Sequence, residues 1–234
     1  LNNKRRISPA LNKRACRKLR PPLSMPDNDQ SDQLDPAQYR NIEDKIEDKE
    51  ERIEVTHVKK AAIQKKTYQA IYRLLDRVSP IDGDCGRLCG AACCMSEDDE
   101  MGIYLLPGEE AIFDESDDWL KWSVQNAEEY GFPDSWKGEI SFIKCKNPPF
   151  CKRRKRPIQC RTFPLMPYLT EDGELQMLYN DNDLPYLCPL IEEEIPLNDD
   201  FVKATQTVWK RLIEDPLIYD LVWMDSEELR EMME

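Results

Sequence analysis

Between Asp84 and Cys94 the chain reads Asp-Cys-Gly-Arg-Leu-Cys-Gly-Ala-Ala-Cys-Cys, which places four cysteines within ten residues. Four more follow at Cys145, Cys151, Cys160 and Cys188, and only Cys16 stands apart, in a basic stretch. Thiolates are soft ligands that select zinc, Cu(I) or iron–sulfur clusters. Zinc takes four of them in a tetrahedron, and rhombic or cubane iron–sulfur clusters also take four cysteines. Cys85, Cys89, Cys93, Cys94, Cys145, Cys151, Cys160 and Cys188 are therefore the candidate metal ligands, enough for one site with thiols to spare or for two. Neighbouring side chains diverge in most backbone conformations. The adjacent pair Cys93-Cys94 thus reads as one ligand and a twin that supports it or serves a second metal. Gly86 and Gly90 suit a loop that wraps a metal, where positive φ and close backbone approach are needed.

Two other uses of the thiols are weighed against metal: a disulfide framework, and reduced structural or redox thiols. The cysteine total of nine is odd. The basic N-terminal stretch is not followed by the apolar segment of a secretory leader. Disulfide scaffolds are also usually smaller than this chain. The expected compartment is the cytoplasm.

The cysteine order continues into a more specific signal. After Cys85-x3-Cys89-Gly90-x2-Cys93-Cys94 come Cys145 and Cys151, and then Arg156-Pro-Ile-Gln-Cys160-Arg161-Thr-Phe-Pro164. This pattern resembles the YkgJ-type cysteine-cluster family, described as a zinc- or iron-chelating domain, which opens on CxxCGxCC and closes on RPxxCRxFP. The closing motif agrees at every fixed position. The opening is looser by a residue on each side of Gly90. The resemblance spans about residues 81–168 and includes flagellin lysine N-methylases, for which it implies an iron–sulfur cluster. It thereby implies a second alternative, a cluster-dependent methyltransferase.

The chain has 234 residues, 34% of them charged, with a net charge of −13 and 40% hydrophobic content. That balance disfavours bulk nucleic-acid binding, which wants a basic surface. No apolar run approaches the roughly 18 residues of a membrane span. Residues 1–35, basic and then rich in Pro, Asp, Ser and Gln, have no periodicity and read as a disordered tail. From Pro36 to about Ser79 no Pro or Gly interrupts the chain, and Ile42, Ile46, Ile53, Ala61, Tyr68, Ile71, Leu75 and Val78 recur at mostly helical spacings. A long amphipathic helix over 36–79 is expected, its second half apolar enough to pack on a core and its surface a possible docking face for a protein partner.

Residues 80–234 form the expected metal-binding domain with C-terminal helices. A cysteine loop over 81–98 leads into a short strand at 101–106. A helix from Glu109 to about Tyr130 is expected from Ile112, Phe113, Trp119, Leu120, Trp122 and Val124. A strand at 136–145 and a hairpin of 163–169 with 174–179 follow. Asn198 is expected to cap a helix to Ile213, and a last helix starts at Pro216. The fold class is α+β: a small, irregular cysteine-cluster domain with short antiparallel strands, flanking helices and a long N-terminal helix.

The basic run Lys152-Arg-Arg-Lys-Arg156 lies between two cysteines. A metal with four thiolates carries a net charge of about −2, so Arg156 and Arg161 are candidates to offset it, placed beside the cofactor. A solvated loop or a nucleic-acid patch are the alternatives. If 161–169 is extended, Arg161 and Phe163 share a face toward the site. His57, the one histidine, reads as a surface residue of the charged helix, which removes most Ser-His and Cys-His chemistry. No Walker loop or dinucleotide fingerprint is present. The spacing Cys85-x3-Cys89-x3-Cys93 is one residue too long for a radical-SAM motif. Acidic runs such as Glu109-Glu110 and Glu192-Glu193-Glu194 read as solvent-facing. The expected function is a metal-binding protein holding an iron–sulfur cluster, 4Fe-4S in the first reading, or zinc. A structural-zinc interaction module is a further alternative.

Overall fold

The structure, a computed structural model, describes residues 61–95, 102–114, 117–180, 184 and 186–233. The expected tail 1–35, most of the expected helix 36–79, Cys16 and His57 lie outside these residues. Six helices and five strands run in the order α1 (Lys65–Leu75), α2 (Gly86–Cys89), β1 (Ile103–Tyr104), β2 (Leu120–Asn126), β3 (Glu139–Cys145), α3 (Ile158–Thr162), β4 (Leu165–Leu169), β5 (Leu175–Tyr179), α4 (Pro189–Glu192), α5 (Asp199–Leu212) and α6 (Pro216–Met233). The mixture of helices with small antiparallel sheets agrees with the α+β expectation. No described helix is long and apolar enough to cross a membrane.

Helix α1 buries Tyr68, Ile71, Tyr72 and Leu75, which recur at three- and four-residue intervals and so share one face. That face meets Phe201, Val208, Trp209 and Leu212 of α5, together with Ile218, Leu221 and Val222 of α6. Leu165 and Leu169 of β4 and Met177 of β5 close the same core from the other side. Burying a Leu or Ile side chain contributes about 1.5–3 kcal/mol. The helix does not extend back through residue 61. Gln64 is extended, at φ −88° and ψ 158°. The reason is Asp215, fully buried, whose carboxylate accepts the backbone N–H groups of Ala62 and Ile63 while also accepting Leu217 N–H at 2.9 Å. One side chain thus caps α6 and holds the approach to α1 out of helical geometry.

The expected helix over 109–130 does not form. Glu109–Ile112 is a single 3-10 turn, and Leu120–Asn126 is a strand paired with β3 along its whole length, from Leu120 opposite Cys145 to Asn126 opposite Glu139. Leu120, Trp122 and Val124 alternate, the period of a strand. Adding Trp119 and the apolar residues of the preceding turn disguised that period as a helical one. Strand β1 joins the other edge of β3, giving the order β1-β3-β2. The expected strand at 136–145 begins only at Glu139, because Trp136 is buried and donates its indole N–H to Leu217 O at 2.8 Å. Strands β4 and β5 form the expected hairpin, with Leu165 opposite Tyr179 and Leu169 opposite Leu175.

Candidate metal centre

Cys85 precedes α2 and Cys89 ends it. Asp84 Oδ1 accepts Gly86 N–H at 3.1 Å, and Ala91 N–H bonds Gly86 O at 2.8 Å, so the segment closes into a tight loop. Gly90 and Ala91 then take left-handed backbone, φ 62° and 60°. Gly86 does not: a Cβ there would stand 3.3 Å from that of Ala91, so close approach is its whole reason. The following 3-10 turn, Ala92–Cys94, brings the two adjacent sulfurs to 3.9 Å. The expectation that these neighbours diverge fails because the tight turn keeps both side chains on one side.

The other thiols arrive from distant segments. Cys145 ends β3. Cys151 follows a loop with a cis Pro148-Pro149 bond, and its sulfur accepts Arg156 Nε at 3.1 Å. Cys160 is the middle residue of α3. Cys188 caps α4, where the backbone N–H groups of Leu190 and Ile191 favour its thiolate. None of these eight is joined in a disulfide.

Several of these thiols raise one another's pKa. Burial pushes the Cys160 thiol well above the usual range, and Cys94, Cys145 and Cys151 push it further while Arg156 opposes them. Burial, then Cys151 and Cys94, push Cys145 up to about 11. Burial, Asp84 and Cys89 raise Cys85, which also senses Cys188. Cys188, raised mainly by burial, senses Cys89. Cys93 is pushed up by its contact with Cys94, then by burial, and Cys94 is drawn down by the same contact with help from Arg156. The pair therefore gives up its first proton readily and resists losing the second.

The Arg156 charge lowers Cys94, Cys145, Cys160 and Cys85 alike, and its Nε donates to the Cys151 sulfur at 3.1 Å. Burial opposes the Arg156 charge, yet Cys151, Cys94 and Cys160 raise its pKa overall. Mutual destabilisation of thiolates is what a cation among them reverses. The donor set thus suits a thiophilic metal. Among the described residues, however, no three histidine, cysteine, aspartate or glutamate side chains stand close enough to enclose one ion.

Arg161 does not join this set. Residues 158–162 are helical rather than extended, so its side chain leaves the direction of Phe163. The guanidinium instead bonds Asp76 Oδ1 at 2.7 Å, Arg153 O at 2.7 Å and Arg156 O at 2.6 Å, and lies over the Tyr72 ring. It pins the basic loop to α1. Lys155 pairs with Asp117 at 2.6 Å and Asp114 at 3.0 Å.

Two residues beside the thiols escaped the sequence reading. Glu109, expected to face solvent, is fully buried and accepts Tyr72 Oη at 2.7 Å, Ile158 N–H at 2.8 Å and Leu106 N–H at 3.1 Å. Burial raises its pKa against the pull of those donors. Nothing in a Glu-Glu pair signals this. Tyr186 packs edge-on against Phe163, and its hydroxyl is raised first by burial and then by Cys93, Cys188 and Cys160. Its place two residues before Cys188 was the available signal. No protein-family model matches the sequence, and no curated protein or solved structure matches it.

Proposed function

We propose that the chain is a metal-binding protein whose thiolates hold an iron–sulfur cluster, a 4Fe-4S centre in the first reading. The observation that carries this is the set of eight free thiols drawn from widely separated segments, with the Cys93 and Cys94 sulfurs 3.9 Å apart and Arg156 Nε donating to the Cys151 sulfur at 3.1 Å. Cys94, Cys145, Cys151 and Cys160 are the candidate ligands, and binding would require their sulfurs to draw together, since no three such side chains among the described residues stand close enough to enclose one ion. When bound, such a cluster supplies one-electron chemistry. Arg156 would offset thiolate charge, and Phe163, edge-on to Tyr186, packs in the apolar cluster that includes Cys188 and Cys85. The cytoplasm, where thiols stay reduced, suits this reading.

Zinc is the second reading, and one distance favours it. A tetrahedron with zinc–sulfur bonds of about 2.3 Å has an edge of about 3.8 Å, and the Cys93 and Cys94 sulfurs are 3.9 Å apart. The methyl-transfer alternative rests on the motif resemblance alone. As for a docking helix, the described part of 36–79 turns its apolar face into the protein's own core.

Anaerobic purification followed by iron, sulfide and zinc analysis tests the proposal. A brown protein with iron and acid-labile sulfide in equal amounts supports the cluster. A colourless protein with stoichiometric zinc supports the second reading. A protein with neither rejects both.

A further inference from the structure

Among the described residues no three cysteine, histidine, aspartate or glutamate side chains stand close enough to enclose one ion, but the sulfurs of Cys93 and Cys94 stand together at 3.9 Å. Their closeness is built by the backbone. Ala91 takes left-handed geometry, φ 60°, ahead of the 3-10 turn Ala92–Cys94. Cys94 N–H then bonds Ala91 O at 2.8 Å and Met95 N–H bonds Ala92 O at 3.1 Å, so the pair is tied into one turn. Cys93 is exposed, Cys94 is half-buried, and neither is joined in a disulfide. The turn itself sets the pair, and solvent reaches it.

What two sulfurs at this spacing take follows from bond lengths. A disulfide draws its sulfurs to about 2.05 Å and usually sets its Cα atoms about 4.4–6.8 Å apart, whereas consecutive Cα atoms are about 3.8 Å apart. A direct S–S bond inside this turn is therefore strained. One soft atom inserted between the sulfurs suits the gap better. A centre with bonds to sulfur of about 2.3 Å holds two sulfurs about 3.8 Å apart, close to the observed 3.9 Å. Zinc asks for four ligands, and the turn supplies two. Trivalent arsenic is soft and thiophilic, and when it carries one organic substituent it has only two exchangeable oxygens. Its demand matches what the turn offers.

We propose that Cys93 and Cys94 form a dithiol site for monosubstituted trivalent arsenicals. In the binding step two S–H and two As–O bonds break, two As–S bonds form, and each thiol proton leaves with a departing hydroxyl as water. Arsenic stays trivalent, so the step needs no oxidant or reductant. Once the first As–S bond exists the second forms within the molecule, at the high effective concentration of a fixed neighbour. That advantage separates the pair from a single thiol. The site needs no metal and does not rest on the iron–sulfur reading, although a metal held through Cys94 would compete with it.

Phenylarsine oxide, which hydrates in water to the dihydroxy form, is the probe. The full chain is purified anaerobically, assayed for metal, reduced, treated with a chelator and desalted, with circular dichroism to check the fold. Equimolar phenylarsine oxide is added, followed by excess glutathione, a monothiol that displaces arsenic from single cysteines. The expected result is one phenylarsenic group retained per chain. Trypsin should release it on the peptide of residues 88–121, which holds Cys89, Cys93 and Cys94, and fragmentation should place it beyond Ala91. Retention should fall about tenfold or more in Cys93→Ser and in Cys94→Ser, while Cys89→Ser retains arsenic as the wild type does. No retention by the wild type, arsenic mapped to other cysteines, retention that survives either substitution, or loss in folded Cys89→Ser overturns the pair. The wild-type map needs no variant, so misfolding of a substituted chain leaves the test decisive. The metal assay before chelation judges the iron–sulfur reading separately.

Discussion

The Glu109 carboxylate accepts the backbone N–H of Ile158 at 2.8 Å, two residues ahead of Cys160. The same oxygen accepts the Tyr72 hydroxyl from α1 at 2.7 Å. A buried acid thus ties the first helix to the start of the thiol-bearing helix α3, and the position of Cys160 depends on it. Glu109→Gln would turn an amide N–H toward one of three donors. A loss of about 1–3 kcal/mol is expected, the cost of leaving a buried donor unpaired. Chemical denaturation of metal-matched samples measures it, and unchanged stability would contradict this role.

The pH dependence of that loss has a definite sign. Burial raises the folded pKa of Glu109 above its ordinary 4.5. The folded state then binds the proton more tightly than the unfolded state, so the Glu109 contribution is full below 4.5 and declines as pH rises toward the folded value. The stability gap between wild type and Glu109→Gln should therefore be wider at pH 5 than at pH 7.5. A gap that widens with pH would show the donors overcoming burial.

Arg156 and Arg161 separate by experiment. Arg156 touches the Cys151 sulfur, whereas Arg161 holds Asp76 and two backbone carbonyls. Arg156→Ala is expected to speed metal loss to a chelator about 10- to 100-fold, as removal of a group supporting a ligand does. Arg161→Ala should lower the unfolding midpoint with a smaller effect on chelator competition in protein that stays folded. Equal metal release by Arg156→Ala and wild type would leave Arg156 without a role at the sulfur.

Much of this was legible in the sequence. The cysteine set and the β4–β5 hairpin follow from residue identity and local pattern, and so do α5 and α6. What escaped depends on contacts between distant residues. Asp215 stops α1 from running back through Ala62, β3 recruits Leu120–Asn126 into a sheet, and Tyr72 with Ile158 draws Glu109 inside. Arg161 was misplaced because one helical turn at 158–162 reverses the alternation of an extended chain. None of these partners is near in sequence to the residue it redirects, except in the case of Arg161.

Gly102 offers a control at the three-stranded sheet. A Cβ there would stand 2.2 Å from Phe142 Cζ and 2.7 Å from Ile143 O, where β1 meets β3. Gly102→Ala should destabilise by about 1–3 kcal/mol through overpacking. Metal per folded chain should stay unchanged, which a melting curve and metal assay on the same sample would check. Metal loss in folded Gly102→Ala would link the three-stranded sheet to the centre more closely than proposed here.

The central claim is that the converged thiols, and not the N-terminal cysteine, bind metal. It is tested most directly by metal content in Cys160→Ser and Cys16→Ser proteins purified anaerobically beside the wild type. Cys160→Ser should lose metal and stability together, since metal binding at such a site is folding energy, while Cys16→Ser should match the wild type in both. Full metal content in Cys160→Ser would contradict the account.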